Sequence, residues 1–281
     1  MDIKIIADSS ADAINYNLTV PFDSVPLKII TDKKEFIDDE KLDIKNMVDY
    51  LSTYKGKSST ACPSIVDYLN SFGDSQYIIC ITITGTLSGS YNAACIAKTE
   101  YESKHPDRKV YVINSLSAGP ELKLLINKAA KLIDDNNDFD TICQKLDSYS
   151  KKTGLAFVLE SLNNLAQNGR VNTLVAKAVG MLGIRIVGKA SDKGDLQQLD
   201  KPRGAEKAYK KLVERMCLEG YTGGDVIIDH CFNQDGANKV AALISSKYPK
   251  ANITIDKTHG LCSFYAENNG MLIGFEKSNH T

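Results

Sequence analysis

Two hydrophobic periods alternate along this chain. Residues 77–83, YIICITI, are an unbroken apolar run bounded by turn residues, the pattern of a strand buried on both faces. Residues 87–103 follow with Leu87, Tyr91, Ala94, Ile96 and Ala97 along one helical face. The same order recurs around them. Residues 3–12 start as a buried strand and end in the polar corner Asp8-Ser9-Ser10, and residues 108–115 give a further strand. Residues 42–54, 121–135 and 139–152 carry amphipathic helical patterns. Strands alternating with helices up to residue 152 predict a parallel sheet covered by helices on both faces. Residues 19–36 interrupt this with short β-rich pieces punctuated by Pro21 and Pro26, which predicts a small β insertion outside the main sheet, over about 19–41. Pro63 is expected just inside a helix start, leaving Thr60, Ala61 and Cys62 extended before it.

After residue 152 the order changes. Residues 155–161 predict a strand, 162–170 a short helix stopped by Asn168-Gly169, and 171–183 another helix. Residues 184–203 predict a hairpin turning at Asp192-Lys193-Gly194, and 204–220 a long amphipathic helix. A β-α-β unit follows, and residues 260–275 are expected as strand, turn, strand. The fold expected is therefore α/β with two domains. An N-terminal parallel-sheet α/β/α domain over 1–152 carries the small insertion, and a C-terminal α+β layered domain covers 153–281.

Composition narrows the function classes. The 34 basic and 35 acidic residues nearly cancel, so there is no electrostatic footprint for nucleic acid or an anionic membrane. No apolar run has the length of a transmembrane helix, and the N-terminus has the pattern of a strand rather than a signal peptide. Seven cysteines, an odd number without a C-x-x-C pair, suit a reducing cytoplasm. His259 and Cys262, and His230 beside Cys231, lack the second closely spaced pair that a zinc site needs, so no metal is expected.

The richest chemistry lies in residues 84–91, TGTLSGSY, where a buried strand ends and a helix begins. Open α/β sheets bind ligands at such ends. The first helix amides point outward unpaired with the positive end of the dipole behind them. Gly85 and Gly89 allow close backbone approach, and Thr84, Thr86, Ser88 and Ser90 add hydroxyls. This combination suits a phosphate or a carboxylate. It matches neither the G-x-S-x-G nucleophile elbow nor the P-loop nor the dinucleotide fingerprint, and a plain capped helix start is an equal alternative.

Several motifs in order resemble those of the DegV family. They are Asp8-Ser9-Ser10 for D-S-(S/T), Thr60-Ala61-Cys62-Pro63-Ser64 for T-S-Q-P-S, and Thr84 to Tyr91 for S-S-x-L-S-G-T-Y. Leu165 to Arg170 matches L-x-x-G-G-R with Asn168 in place of the first Gly, and Leu182 to Val187 matches L-N-I-K-P-I, with Lys201-Pro202-Arg203 beyond the hairpin. The resemblance spans essentially the whole chain. It implies two α/β domains holding one long-chain fatty acid between them, with the carboxylate met by Thr60 and Ser88, and no cofactor. It implies a non-catalytic carrier that presents the acid to a fatty acid kinase.

Around that pair, Gly89, Ser90 and Arg170 are the further expected carboxylate contacts. Arg170 follows a helix stop and faces either the cleft or an interdomain salt bridge. Asp8, Ser9, Thr84 and Ala266 are candidate lining residues, and Arg203 is a candidate partner contact. The chain departs from the family at its end. Ala266 aligns where a His normally reaches the carboxylate, so a replacement donor is expected from water, from Arg170, or from an amide near Asn268-Asn269. Two other readings stay open: a hydrolase or acyl transferase using Ser88 with His230 or His259 as base, and a module for a phosphate-bearing small molecule.

Overall fold

The computed structural model describes residues 2–171 and 183–278. The elements are β1 (Ile3–Asp8), a 3₁₀ turn (Ser9–Ala11), β2 (Phe22–Val25), β3 (Lys28–Thr31), β4 (Glu35–Ile37), α1 (Ile44–Thr53), β5 (Ser58–Ala61) and α2 (Ile65–Phe72). Next come β6 (Tyr77–Thr82), α3 (Ser90–Lys104), β7 (Lys109–Asn114), α4 (Pro120–Asp134), α5 (Phe139–Ser150), β8 (Thr153–Leu159) and α6 (Asn163–Gln167). The chain ends with β9 (Ile186–Ala190), β10 (Leu196–Asp200), α7 (Ala205–Leu218), β11 (Asp225–His230), α8 (Gln234–Lys247), β12 (Asn252–Lys257), α9 (Gly260–Ala266) and β13 (Met271–Glu276). The helix expected over 171–183 falls, but for its two ends, outside the described residues.

The first sheet has the order β2-β1-β6-β7 and is parallel throughout. Side chains alternate across a strand, so each strand feeds two cores. Ile3, Ile5, Ala7, Ile79 and Ile81 pack with Leu122, Leu125 and Ile142 of α4 and α5. Ile6, Ile78 and Cys80 pack on the opposite face with Tyr68, Phe72, Ala94 and Ala97 of α2 and α3. This is the covered parallel sheet the alternating pattern predicted.

The second sheet, β10-β9-β8-β13-β11-β12, is antiparallel except for its β11–β12 pair. Ala156 and Val158 of β8 face α7 and α8, while Phe157 and Leu159 face the other way, toward the N-terminal half. A small antiparallel sheet, β4-β3-β5, completes the fold and sets Thr60 opposite Ile29.

Four expectations are corrected. β2 joins the main sheet instead of standing outside it, and only β3 and β4 of the insertion belong to the small sheet. Helix α2 starts after an N-cap at Ser64, which makes a reciprocal capping box with Asp67, so Pro63 precedes the cap. Helix α3 begins at Ser90, later than its apolar pattern suggested, and Ile96 on it is 44% exposed while Ala94, Ala97 and Tyr101 face inward. Residues 260–266 form helix α9 where a strand was expected. Its first amides are taken by a distant carboxylate: Asp38 accepts from Gly260 N at 2.7 Å and Leu261 N at 2.9 Å.

The two halves meet through α4. Gly274 of β13 lets the start of α4 lie directly on the strand, since a Cβ there would come within 2.6 Å of Glu121 N. Lys123 of α4 is buried and bonds Asp229 at 3.0 Å and Asp256 at 2.8 Å. Asp12 Oδ2 and Asp229 Oδ2 are both buried without a hydrogen-bond partner among the described residues, and burial raises both carboxyls, Asp229 to about 6 and Asp12 well above its ordinary value. A proton retained on this pair of acids would supply the donor that two carboxylates lack.

Removing one partner of such a buried group leaves the other uncompensated, which costs roughly 3–5 kcal/mol. Lys123→Met should therefore lower unfolding free energy by about 3 kcal/mol at neutral pH in urea melts. The loss should shrink toward pH 5, where Asp229 takes up a proton.

The acid pair has its own pH signature. The folded protein keeps protons that the unfolded chain releases near pH ~4. Its contribution is thus fully present below about pH 4 and drains as pH rises through about 6. Asp12→Asn supplies a permanent donor, so wild-type stability minus variant stability should fall steadily over that window. A difference independent of pH would show that no proton is shared.

Candidate functional site

The inner face of β8 and the loops at the ends of β5 and β6 enclose a cavity of about 300 Å³ between the two sheets. That volume is at the small end of ligand pockets. Its walls are overwhelmingly apolar: Leu27, Ile83, Leu155, Phe157, Leu159, Leu165, Leu261 and Leu272 among them. The strand period explains the contribution of β8, whose residues 155, 157 and 159 all point inward. Polar side chains gather at one end, namely Thr60, Ser88, Arg170 and Tyr265.

Each polar group is held by a different element. Thr60 ends the small sheet on β5, and its hydroxyl pairs with the Tyr265 phenol at 2.8 Å. Ser88 sits in the turn before α3, where its hydroxyl accepts from Ser90 N at 3.3 Å. Arg170 follows α6 and donates from Nε to the Leu87 carbonyl at 3.1 Å, which ties the C-terminal half to the turn carrying Ser88. Its Nη1 bonds the Asn168 carbonyl, closing the helix stop read from the sequence. Burial raises the Tyr265 phenol pKa against the lowering effect of the Thr60 hydrogen bond and the nearby Arg170 charge. Tyr265 thus stays a neutral donor through the physiological range.

The residues singled out from the sequence divide into two groups. Thr60, Ser88, Gly89, Arg170 and Ala266 all line this cavity. Asp8, Ser9, Thr84 and Ser90 are fully buried, lie outside its lining, and bond neighbouring side chains or backbone. Asp8 accepts from Ile83 N at 2.9 Å and from the Ser10 and Ser90 hydroxyls, and burial raises its carboxyl pKa. The Ser90 hydroxyl also pairs with the Tyr68 phenol at 2.6 Å. Ser9 Oγ accepts from Leu27 N at 3.0 Å, and Thr84 Oγ1 pairs with Thr86 Oγ1 at 2.6 Å. These four brace the two strand ends that carry the site. Arg203 is exposed beside its backbone bridge to Ile184, away from the cavity lining.

The amides near Asn268-Asn269 serve the fold. Asn269 N donates to the Cys231 carbonyl at 2.9 Å and Gly270 N to the Glu267 carbonyl at 3.1 Å. Tyr265 is the polar residue the sequence reading missed. The available signal was spacing: Leu261, Cys262, Tyr265 and Ala266 all line the cavity, two i,i+4 pairs on one helical face. Read as a strand, the segment turns Tyr265 and Ala266 to opposite sides.

The histidines are occupied elsewhere. His230 accepts from Asn233 N at 3.1 Å through Nδ1 and pairs with Gln234 at 3.1 Å through Nε2, and burial lowers its pKa. His259 bonds Asp38 through Nδ1, and Cys262 Sγ lies 3.3 Å from the Ser10 carbonyl. Among the described residues no group of three or more His, Cys, Asp or Glu side chains has the arrangement to hold a metal ion. No helix among them is long and apolar enough to cross a membrane.

Outside the polar end lies an open depression lined by Gly85, Thr86, Tyr91, Asn92 and Gly169. It shares Leu87, Ser88, Gly89 and Arg170 with the cavity, so these four form a wall with one side outward.

Comparison with known proteins agrees with this architecture. A DegV domain-containing protein of Streptococcus gordonii is 42% identical over 279 residues, covering 98% of this chain and 99% of the relative. The solved structure of a Streptococcus pneumoniae fatty acid kinase (Fak) B3 protein loaded with linoleic acid is 42% identical. It superposes with a TM-score of 0.96 and covers 99% of this chain and 100% of its own. A DegV family protein from Eubacterium eligens loaded with heptadecanoic acid is 41% identical with a TM-score of 0.95, covering 98% of this chain and 100% of its own. The DegV family model matches residues 2–277, and the chain belongs to that family.

Proposed function

We propose that this protein holds one long-chain fatty acid in the cavity and presents its carboxylate to a partner kinase, without catalysis of its own. The observation that carries the reading is the cavity's polarity: an apolar lining with three hydroxyls and one guanidinium from neighbouring residues. A tail of about fourteen methylenes contributes on the order of 11 kcal/mol at ~0.8 kcal/mol each, before the costs of association. The tail therefore supplies affinity, and Thr60, Ser88, Tyr265 and Arg170 orient the headgroup. Arg170 completes the charge balance that hydroxyls alone lack.

The shared wall of Leu87, Ser88, Gly89 and Arg170 supports presentation, because a carboxylate held on its inner side is approached from the outer depression. Arg203, exposed and cationic, is a candidate contact for the partner. The occupied histidines support a carrier over a Ser88 nucleophile, which needs a base in hydrogen-bond reach. The two domains divide near residue 152 in this reading, and the setting is cytoplasmic.

Protein denatured and extracted after purification should release an acyl species detectable by mass spectrometry. A preparation that releases none, and that also fails to bind added palmitate, rejects the proposal. Turnover of an ester that disappears in Ser88→Ala would replace it with the hydrolase reading.

The headgroup assignment makes a second expectation. A hydrogen bond to a charged group contributes ~1.5–3 kcal/mol. Thr60→Ala, Ser88→Ala and Tyr265→Phe should each weaken fatty acid binding by roughly tenfold to a hundredfold, at one decade per ~1.4 kcal/mol. Titration calorimetry measures this, and unchanged affinity in all three variants would refute the assignment.

A further inference from the structure

Across a wall of shared side chains from the cavity lies an annex. A second void of about 140 Å³ is lined by Leu162, Val171, Ile186 and Gln198 and shares Phe157, Leu165 and Leu196 with the main one. Its lining among the described residues is apolar except for Gln198. Strand alternation explains how that side chain arrives there. On β10, Leu196 and Gln198 point to one face and the exposed Gln197 to the other. A register shift between Gln198 and Asp200 follows at once, and irregularities of this kind re-aim the side chains beside them. Residue 198 is thus an inward position where packing alone calls for an aliphatic residue.

Its amide oxygen is left without a partner among the described residues. Gln198 Oε1 is buried and makes no hydrogen bond. A buried, unpaired amide oxygen is costly, and such groups need an explanation. A trapped water serves poorly, because a buried water needs two to four polar partners and the lining offers one among the described residues. A plain methylene chain cannot satisfy the oxygen either.

Resting on the fatty-acid reading above, we infer that the annex is built for an acyl chain that carries a hydroxyl, with the Gln198 amide as its hydrogen-bond partner. A hydroxyl both donates and accepts, so it is satisfied by the amide oxygen or, after rotation of the amide, by its N–H. A carbonyl or ether on the tail could use only the N–H. The site therefore discriminates by the oxygen on the chain, and by its distance from the carboxylate, in the way that polar groups buried in a binding pocket reject analogues lacking their partner.

The test is titration calorimetry of the delipidated protein with stearic acid and with a panel of positional hydroxystearic acids. At least one isomer should bind about tenfold tighter than stearate, with the preference peaking at one hydroxyl position. Gln198→Leu should abolish that preference, leave stearate affinity equal or higher, and leave the melting temperature of the ligand-free protein equal or raised. Stearate binding with no isomer preferred overturns the inference and leaves the carrier reading standing. A preference that survives Gln198→Leu overturns the role of Gln198. Failure of stearate and every isomer to bind overturns both readings together. The wild-type comparison decides the inference even if the variant does not fold.

Discussion

Lys123 is the charge around which the two halves are assembled. It sits on a helix whose first two turns are buried, between a parallel sheet on one side and β13 and β11 on the other. An ammonium in that position demands neutralisation, and the carboxylates that provide it come from β11 and β12. Attraction of this kind acts on position as much as on energy. Only one placement of α4 brings Lys123 to Asp229 while Gly274 admits the helix start against β13. Ala118 and Leu272, on either side of that junction, then line the cavity. A polar contact outside the cavity thus helps to position two of its lining residues.

The same logic holds at the other end. Asp38, on the insertion, receives the first amides of α9 and the ring of His259. A seven-residue helix has little stability of its own, and these bonds replace the intrahelical partners its N-terminus lacks. Because α9 carries Tyr265 and Ala266, the small insertion governs this part of the cavity lining from a distance of more than two hundred residues.

These long-range contacts mark the limit of what the chain discloses by itself. The parallel sheet was legible because its strands are continuous apolar runs and its helices keep one apolar face. The turn carrying Ser88, the extended Thr60 and the helix stop before Arg170 were legible from local chemistry: glycines, hydroxyls and a Pro at defined offsets. What escaped was decided elsewhere in the fold. Residues 260–266 are helical because Asp38 caps them, and nothing within GLCSFYA announces that partner. β2 pairs with β1 although Pro21 and Pro26 flank it, since it occupies an edge of the sheet where missing donors face outward. Asp8 and Ser90 have the composition of ligand contacts, yet a buried carboxylate needs donors of its own, and the nearby hydroxyls are spent on it.

A phenol, Tyr265, rather than an imidazole stands among the polar groups of the cavity lining. A histidine in this place would change charge near pH ~6.5, so its hydrogen bonding to a carboxylate would vary across the neutral range. Burial holds the Tyr265 phenol above its ordinary pKa, which keeps its proton in place there. The Thr60–Tyr265 pair is also satisfied when no ligand is present, since each hydroxyl serves as the other's partner. Under the proposed function, a carboxylate entering between them accepts from both at the cost of one hydroxyl–hydroxyl bond. In the proposed reading, the empty site is then stable without an ordered anion, and its affinity for a fatty acid depends on the tail, on Arg170 and on hydroxyl geometry, with little dependence on pH wherever the acid is ionised.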